Sequence, residues 1–113
     1  MTDNLTLKNI IDAKLKNPYI ENKTIDQLRK ETEDAGNKIP LPKHTKFERV
    51  SVGNIDAEWI TCGEFESDKI FMFMHGGGYY RGSIAATRAT VARISAEAKV
   101  RCLSIGYRLA PEY

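Results

Sequence analysis

The chain has 113 residues, 42% of them hydrophobic and 28% charged, which fits one small globular domain and leaves no room for two. Lys and Arg number 17 against 15 Asp and Glu, and the ten basic and eight acidic residues before position 51 are as mixed as the seven and seven after it. No basic face or acidic tail marks a nucleic-acid or membrane-surface partner.

The longest unbroken apolar run, Ile70 to Met74, falls far short of the ~20 residues a membrane-spanning helix needs. The beginning, Met1-Thr2-Asp3-Asn4, lacks the basic flank and apolar stretch of a secretory signal, so the expected compartment is the cytosol. Cys62 and Cys102 make no C-x-x-C pair and no disulfide framework, and with only His44 and His75 beside them no metal site is expected. Both thiols read as buried, reduced core residues.

In chain order, Leu7, Ile10, Ile11 and Leu15 recur at three- and four-residue spacing and predict a helix with one apolar stripe, ended by Asn17-Pro18. A second helix is predicted from Thr24, whose hydroxyl caps the amide of Gln27 while Gln27 reaches back, to about Ala35, with Gly36 as its stop. Pro40 and Pro42 bracket a change of texture. Short strands are predicted over 47–52 and 57–61, joined by a tight turn at Gly53-Asn54, and their charged residues place them in the outer part of a sheet. Ile70 to Met74, apolar at every position, reads as a strand buried on both faces of a parallel sheet. A helix from about Ser83 to Ala98 follows, with Ala85, Ala89, Ala92 and Ala96 as a small-residue face and Arg88 and Arg93 on its solvated side. Val100 to Ile105 completes a strand–helix–strand crossover, so the fold class is α/β.

The chemistry is expected in the turn after the first buried strand, His75-Gly76-Gly77-Gly78-Tyr79-Tyr80-Arg81-Gly82. Glycines let the backbone approach a ligand and turn its N–H groups towards it, at the positive end of the following helix. A phosphate loop of the P-loop type fails, because Gly77 and Gly82 have the right separation but Ser83 takes the lysine position. The dinucleotide pattern fits at Gly76 and Gly78 but displaces its third glycine to Gly82. A looser nicotinamide variant would want an acid after the next strand, where Gly106-Tyr107-Arg108 stands. An oxyanion loop of the HGGG type fits better. Tyr79 and Tyr80 read as packing residues rather than substrate contacts.

His75-Gly76-Gly77-Gly78-Tyr79 followed by Tyr107-Arg108-Leu109-Ala110-Pro111-Glu112, each closing a buried strand, resembles the hormone-sensitive-lipase family of α/β-hydrolases, carboxylesterases and lipases. The resemblance spans essentially the whole chain. It implies two cap helices over residues 1–40 and, over 41–113, the first strands and first crossover helix of an incomplete hydrolase core. It also implies hydrolysis of small carboxylic esters, with short or medium acyl chains, through an acyl-serine and without a cofactor. The N–H groups of Gly77 and Gly78 would bind the oxyanion, Gly76 would allow the turn and His75 would brace the loop. Tyr107 to Glu112 would fix the chain as it leaves the sheet. Gly106 departs from the family, whose members usually carry Asp there, which puts a buried polar contact in doubt.

The nucleophile elbow G-x-S-x-G and the acid and base of a triad are absent from the sequence. Cys102-Leu103-Ser104-Ile105-Gly106 comes nearest, but it lacks the first glycine, and Ser104 reads as a core residue. His75 belongs to the oxyanion loop and is no candidate base. The chain is therefore expected to be inactive alone. Two other readings remain open: a nicotinamide-binding oxidoreductase fragment, and a non-catalytic binding or dimerising module. By the resemblance, the strand 70–74 lacks the neighbour that would carry the nucleophile, so an open apolar edge and self-association are expected.

Overall fold

The computed structural model describes residues 2–16, 22–66 and 68–113. Helices α1 (Thr2–Lys16) and α2 (Ile25–Asn37) precede strands β1 (Thr45–Val52), β2 (Ile55–Cys62) and β3 (Ile70–Met74), then helix α3 (Ile84–Ala98) and strand β4 (Arg101–Gly106). The strands form one sheet in the order β1-β2-β4-β3. β2 runs antiparallel to both β1 and β4, while β3 and β4 are parallel, because the crossover through α3 brings the chain back in the same direction. The α/β class holds, with a mixed sheet.

Local chemistry explains the beginning of α2. Thr24 Oγ1 accepts from the Gln27 amide at 3.1 Å and the Gln27 side chain accepts from the Thr24 amide at 2.8 Å, a complete capping box. The expected stop at Gly36 is corrected: the helix continues through Asn37 and closes at Lys38 in right-handed backbone. Gly36 serves the packing instead, since a Cβ there would lie 2.2 Å from the Ala86 carbonyl oxygen of α3. A bare Cα is what lets the two helices meet. The end of the first helix at Asn17-Pro18 lies outside the described residues; the apolar stripe of α1, Leu7, Ile10, Ile11 and Leu15, is exposed.

The β1–β2 hairpin turns at Gly53-Asn54, where only Gly53 takes a positive φ, 63°, as a two-residue turn with glycine first requires. β1 is a sheet edge and β2 its neighbour, as expected from their charges. The core lies between β2, β4 and α3: Ile60, Cys62, Val91, Ala92 and Cys102, with Phe73, Ile94, Ala96 and Val100 packed around them. Ser95 ties the layers, accepting from the Cys62 amide at 3.1 Å and donating to the Val100 carbonyl at 2.6 Å. Both cysteines are buried and free, and burial pushes the Cys102 thiol pKa up. Ala89 and Ala92 of the small-residue face are buried, Ala85 and Ala96 half-buried.

Two readings of the sequence need correction here. Arg88 does not point to solvent: its guanidinium grips the buried Glu58 with two hydrogen bonds, 2.6 and 2.9 Å, and lies over the Phe47 ring; Arg93 is exposed as expected. β3 is not buried on both faces, because β4 pairs with one of its edges only and α3 packs on β2 and β4. Met72 is 57% exposed, and Ile70, Phe71 and Met74 are exposed with it. This is the open edge that the resemblance implied. No helix among the described residues is long and apolar enough to cross a membrane.

Candidate active-site loop

β3 delivers the chain into the glycine loop at the carboxyl end of the sheet's parallel pair, the place where open α/β sheets bind ligands. His75, the first residue of the loop, is 4% exposed. Its ring stacks on Tyr107 with centroids 4.3 Å apart, and Nδ1 donates to the Gly76 carbonyl at 2.9 Å. The Tyr107 hydroxyl donates to the His75 carbonyl. The end of β4 thus holds the end of β3, and the two sequence motifs meet.

The turn closes on Gly77, whose carbonyl accepts from the amides of Tyr80 at 3.3 Å and Arg81 at 3.1 Å. Gly77 takes φ +136°, and a Cβ there would stand 1.9 Å from the Arg81 carbonyl oxygen. Gly82, at φ +96°, is as constrained, with the Gly76 carbonyl oxygen and His75 Nδ1 both 2.4 Å from a Cβ. At Gly76 a Cβ would meet nothing within 4 Å. The steric requirement for glycine therefore falls on 77 and 82. Among the described residues, the amides of Gly77 and Gly78 have no acceptor. Just beyond, Ser83 caps α3 by accepting from the Ala86 amide at 3.0 Å, so the positive end of that helix faces the loop.

One residue that no motif contained organises the site. Arg29 of α2 donates from Nε to the Tyr80 carbonyl at 2.6 Å and from Nη2 to the Ala110 carbonyl at 2.9 Å. It also binds both oxygens of Glu112, at 2.7 and 2.8 Å. These bonds hold the Glu112 carboxyl pKa down at about 2. The Tyr79 carbonyl accepts from the Ala110 amide at 2.8 Å, and the Ala110–Pro111 peptide is cis. Sequence offered no local signal for Arg29, since its partners are far along the chain. The one hint was that the acid ending the second motif needs a counter-charge.

Tyr79 is not a packing residue: it occupies left-handed backbone at φ 68° and is 79% exposed. Tyr80 is half-buried beside Arg81. Ser104 is fully buried in β4, between Glu58 and Phe73 in register, which makes it a core residue with no access to substrate. Gly106 sits opposite Asp56, where a Cβ would come 3.0 Å from the Asp56 carbonyl oxygen and from Ile84.

Comparison with known proteins agrees with this construction. Residues 71–113 match the model of a family with the α/β hydrolase fold. Among solved structures, an esterase of the bacterial hormone-sensitive-lipase family superposes with TM-score 0.79 at 34% identity, over 94% of this chain and 36% of that one. The esterase EstE5 superposes with TM-score 0.82 at 33% identity, over 96% of this chain and 36% of its own. A putative acetyl-hydrolase, LipR, from Mycobacterium tuberculosis is 30% identical over 62% of this chain and 23% of that protein. The sheet, its crossover and the glycine loop define a portion of an α/β-hydrolase. The chain is similar to esterases of the hormone-sensitive-lipase family of that fold, and it spans about a third of the length of the structural relatives.

Proposed function

We propose that this chain supplies the oxyanion-binding section of a carboxylic ester hydrolase acting on small esters. The observation that carries the reading is the pair of uncommitted amides at Gly77 and Gly78, in a loop held by bonds to the carbonyls of His75, Gly76, Gly77, Tyr79 and Tyr80. When a serine oxygen adds to an ester carbonyl carbon, the carbonyl π electrons move onto oxygen, and collapse of the adduct expels the alcohol and leaves an acyl-serine. The loop's contribution is to donate two N–H groups to that oxygen as its charge develops, an effect worth about 3 kcal/mol per donor. His75 and Tyr107 keep the loop from moving, and no cofactor enters. Residues 1–40 act as a cap and 41–113 as core, and the exposed stripe of α1 supports a covering role. The two free thiols support a reducing, cytoplasmic setting. The bare edge of β3 supports self-association of the isolated chain.

The purified 113-residue chain is expected to show no hydrolysis of p-nitrophenyl esters above that of a bulk protein; saturable turnover abolished by Ser104→Ala would overturn this reading. In a catalytically complete form, identified by an in-frame G-x-S-x-G beyond Tyr113, Gly77→Val is expected to lower kcat about 100-fold or more. An unchanged kcat would remove the loop from the mechanism.

A further inference from the structure

A trans peptide is planar, so the N–H of one residue points opposite to the carbonyl of the residue before it. Ala110–Pro111 is the one cis peptide among the described residues, and the rule therefore holds throughout the glycine loop. Holding the Gly76 carbonyl aims the Gly77 N–H, and holding the Gly77 carbonyl aims the Gly78 N–H. His75 Nδ1 does the first at 2.9 Å. The second falls to the amides of Tyr80 and Arg81, at 3.3 and 3.1 Å. The Arg81 amide shares its peptide group with the Tyr80 carbonyl, and that carbonyl accepts from Arg29 Nε at 2.6 Å.

A single line of hydrogen bonds thus runs from the guanidinium of Arg29 through peptide 80–81 and peptide 77–78, and ends on the uncommitted Gly78 N–H. Every link points the same way. A carbonyl that accepts a bond draws electron density to its oxygen, raises the double-bond character of its C–N bond and makes the N–H of the same peptide a better donor. Such chains strengthen by roughly 10–30% per bond, and the bond that starts this one is charge-assisted. Arg29 is itself set in place by both oxygens of Glu112 and by the Ala110 carbonyl. We infer that Arg29 is a positioning residue for the oxyanion: it aims and polarises the Gly78 N–H through two peptide groups without touching substrate. The Gly77 N–H is supported from the His75 ring through one peptide group. Helix α2 is then part of the oxyanion machinery as well as a cover. The catalytic consequence rests on the proposed function; the line of bonds does not.

The test is NMR spectroscopy of the intact, isotope-labelled chain. Scalar couplings across the hydrogen bonds are expected from Arg29 Nε to the Tyr80 carbonyl carbon and from Arg81 N to the Gly77 carbonyl carbon; absence of either breaks the line and overturns the inference, whatever the variants do. In Arg29→Gln, which keeps a donor but loses the charge, the amide protons of Arg81 and Gly78 should move upfield while those of Gly77 and β2 stay. Arg29→Lys, with a charged donor for Tyr80, should restore most of the Gly78 shift. Glu112→Gln leaves the Tyr80 bond in place and should move Gly78 less than Arg29→Gln does. An unmoved Gly78 in Arg29→Gln, or equal movement in Glu112→Gln, would defeat the relay. In the catalytically complete form, Arg29→Gln is expected to lower kcat about 10-fold, short of the about 100-fold of losing a donor, with KM for p-nitrophenyl butyrate unchanged. A rise in KM alone would make Arg29 a binding residue and overturn the inference. If the shifts appear and Gly77→Val leaves kcat unchanged, the relay stands and the proposed function fails. If Gly77→Val lowers kcat and Arg29→Gln does not, the function stands and the relay fails.

Discussion

Strand β2 carries two acids and a tryptophan, yet Ala57, Glu58, Ile60 and Cys62 are all buried; strand β3 is apolar throughout, yet four of its five residues are exposed. The difference lies in position. β2 is paired along both edges and covered by α3, so even a carboxylate at 1% exposure is held there. It is tolerated because Arg88 meets both of its oxygens and Arg49 Nε stands 3.6 Å away. Burying a charge is strongly unfavourable unless it is paired and hydrogen-bonded. β3 has the composition of a sheet centre and the neighbours of an edge. Composition records the environment a strand is suited to, and neighbours decide the one it has.

The sharpest way to break this contrast is to remove the partner that lets β2 be buried. Arg88→Ala leaves Glu58 buried with only the longer Arg49 contact, and is expected to destabilise the fold by about 3–5 kcal/mol in urea unfolding at fixed protein concentration. Replacing both residues with leucine should recover much of that loss; if it does not, the pair does more than neutralise a buried charge. The next test compares equivalent truncations. Ile60→Ala, in the core, should lose about 2–5 kcal/mol, whereas Met72→Ala on β3 should stay within about 0.5 kcal/mol in the same assay. Equal losses would show that β3 is covered in solution, by a second copy or otherwise.

Much of the fold was legible because it rests on local chemistry. The capping box at Thr24 and Gln27, the Gly53-Asn54 turn and the crossover helix depend on residues within a turn of one another. The loop was legible for a similar reason: glycines at 77 and 82 report backbone that a side chain cannot adopt or cannot fit. What failed depended on distant partners. Gly36 looked like a helix stop because nothing nearby tells of Ala86, and Arg88 looked solvated because Glu58 lies on another element. Arg29 escaped notice altogether, since its bonds to Tyr80, Ala110 and Glu112 exist only once α2 has packed on α3. The exposure of β3 follows from what lies beside it, which its own five residues do not encode.

The loop that follows β3 is held by charge where the strand itself is held by little, and acid tests that difference with the smallest expected effect. Glu112 ordinarily titrates near 4.5, and its hydrogen bonds to Arg29 bring it to about 2 in the folded chain. A carboxyl whose folded pKa is depressed contributes stability that is fully present above the ordinary value and is lost as pH falls through the folded one. Arg29 stays protonated throughout, so the change belongs to Glu112. The stability difference between the native chain and Glu112→Gln should therefore be constant above about pH 5, narrow below 4.5 and vanish near pH 2. Both partners are partly solvated, so the difference is also expected to shrink in high salt. The other carboxylates titrate in both proteins and cancel from it. Loss of the clamp should loosen the loop rather than release it, because Arg29 keeps its bonds to the Tyr80 and Ala110 carbonyls. Amide exchange across 77–82 should accordingly rise in Glu112→Gln at neutral pH and rise further in Arg29→Gln, while exchange in β2 stays unchanged. A pH-independent difference, or equal exchange in the two variants, would show that the clamp does not act through the charge of Glu112.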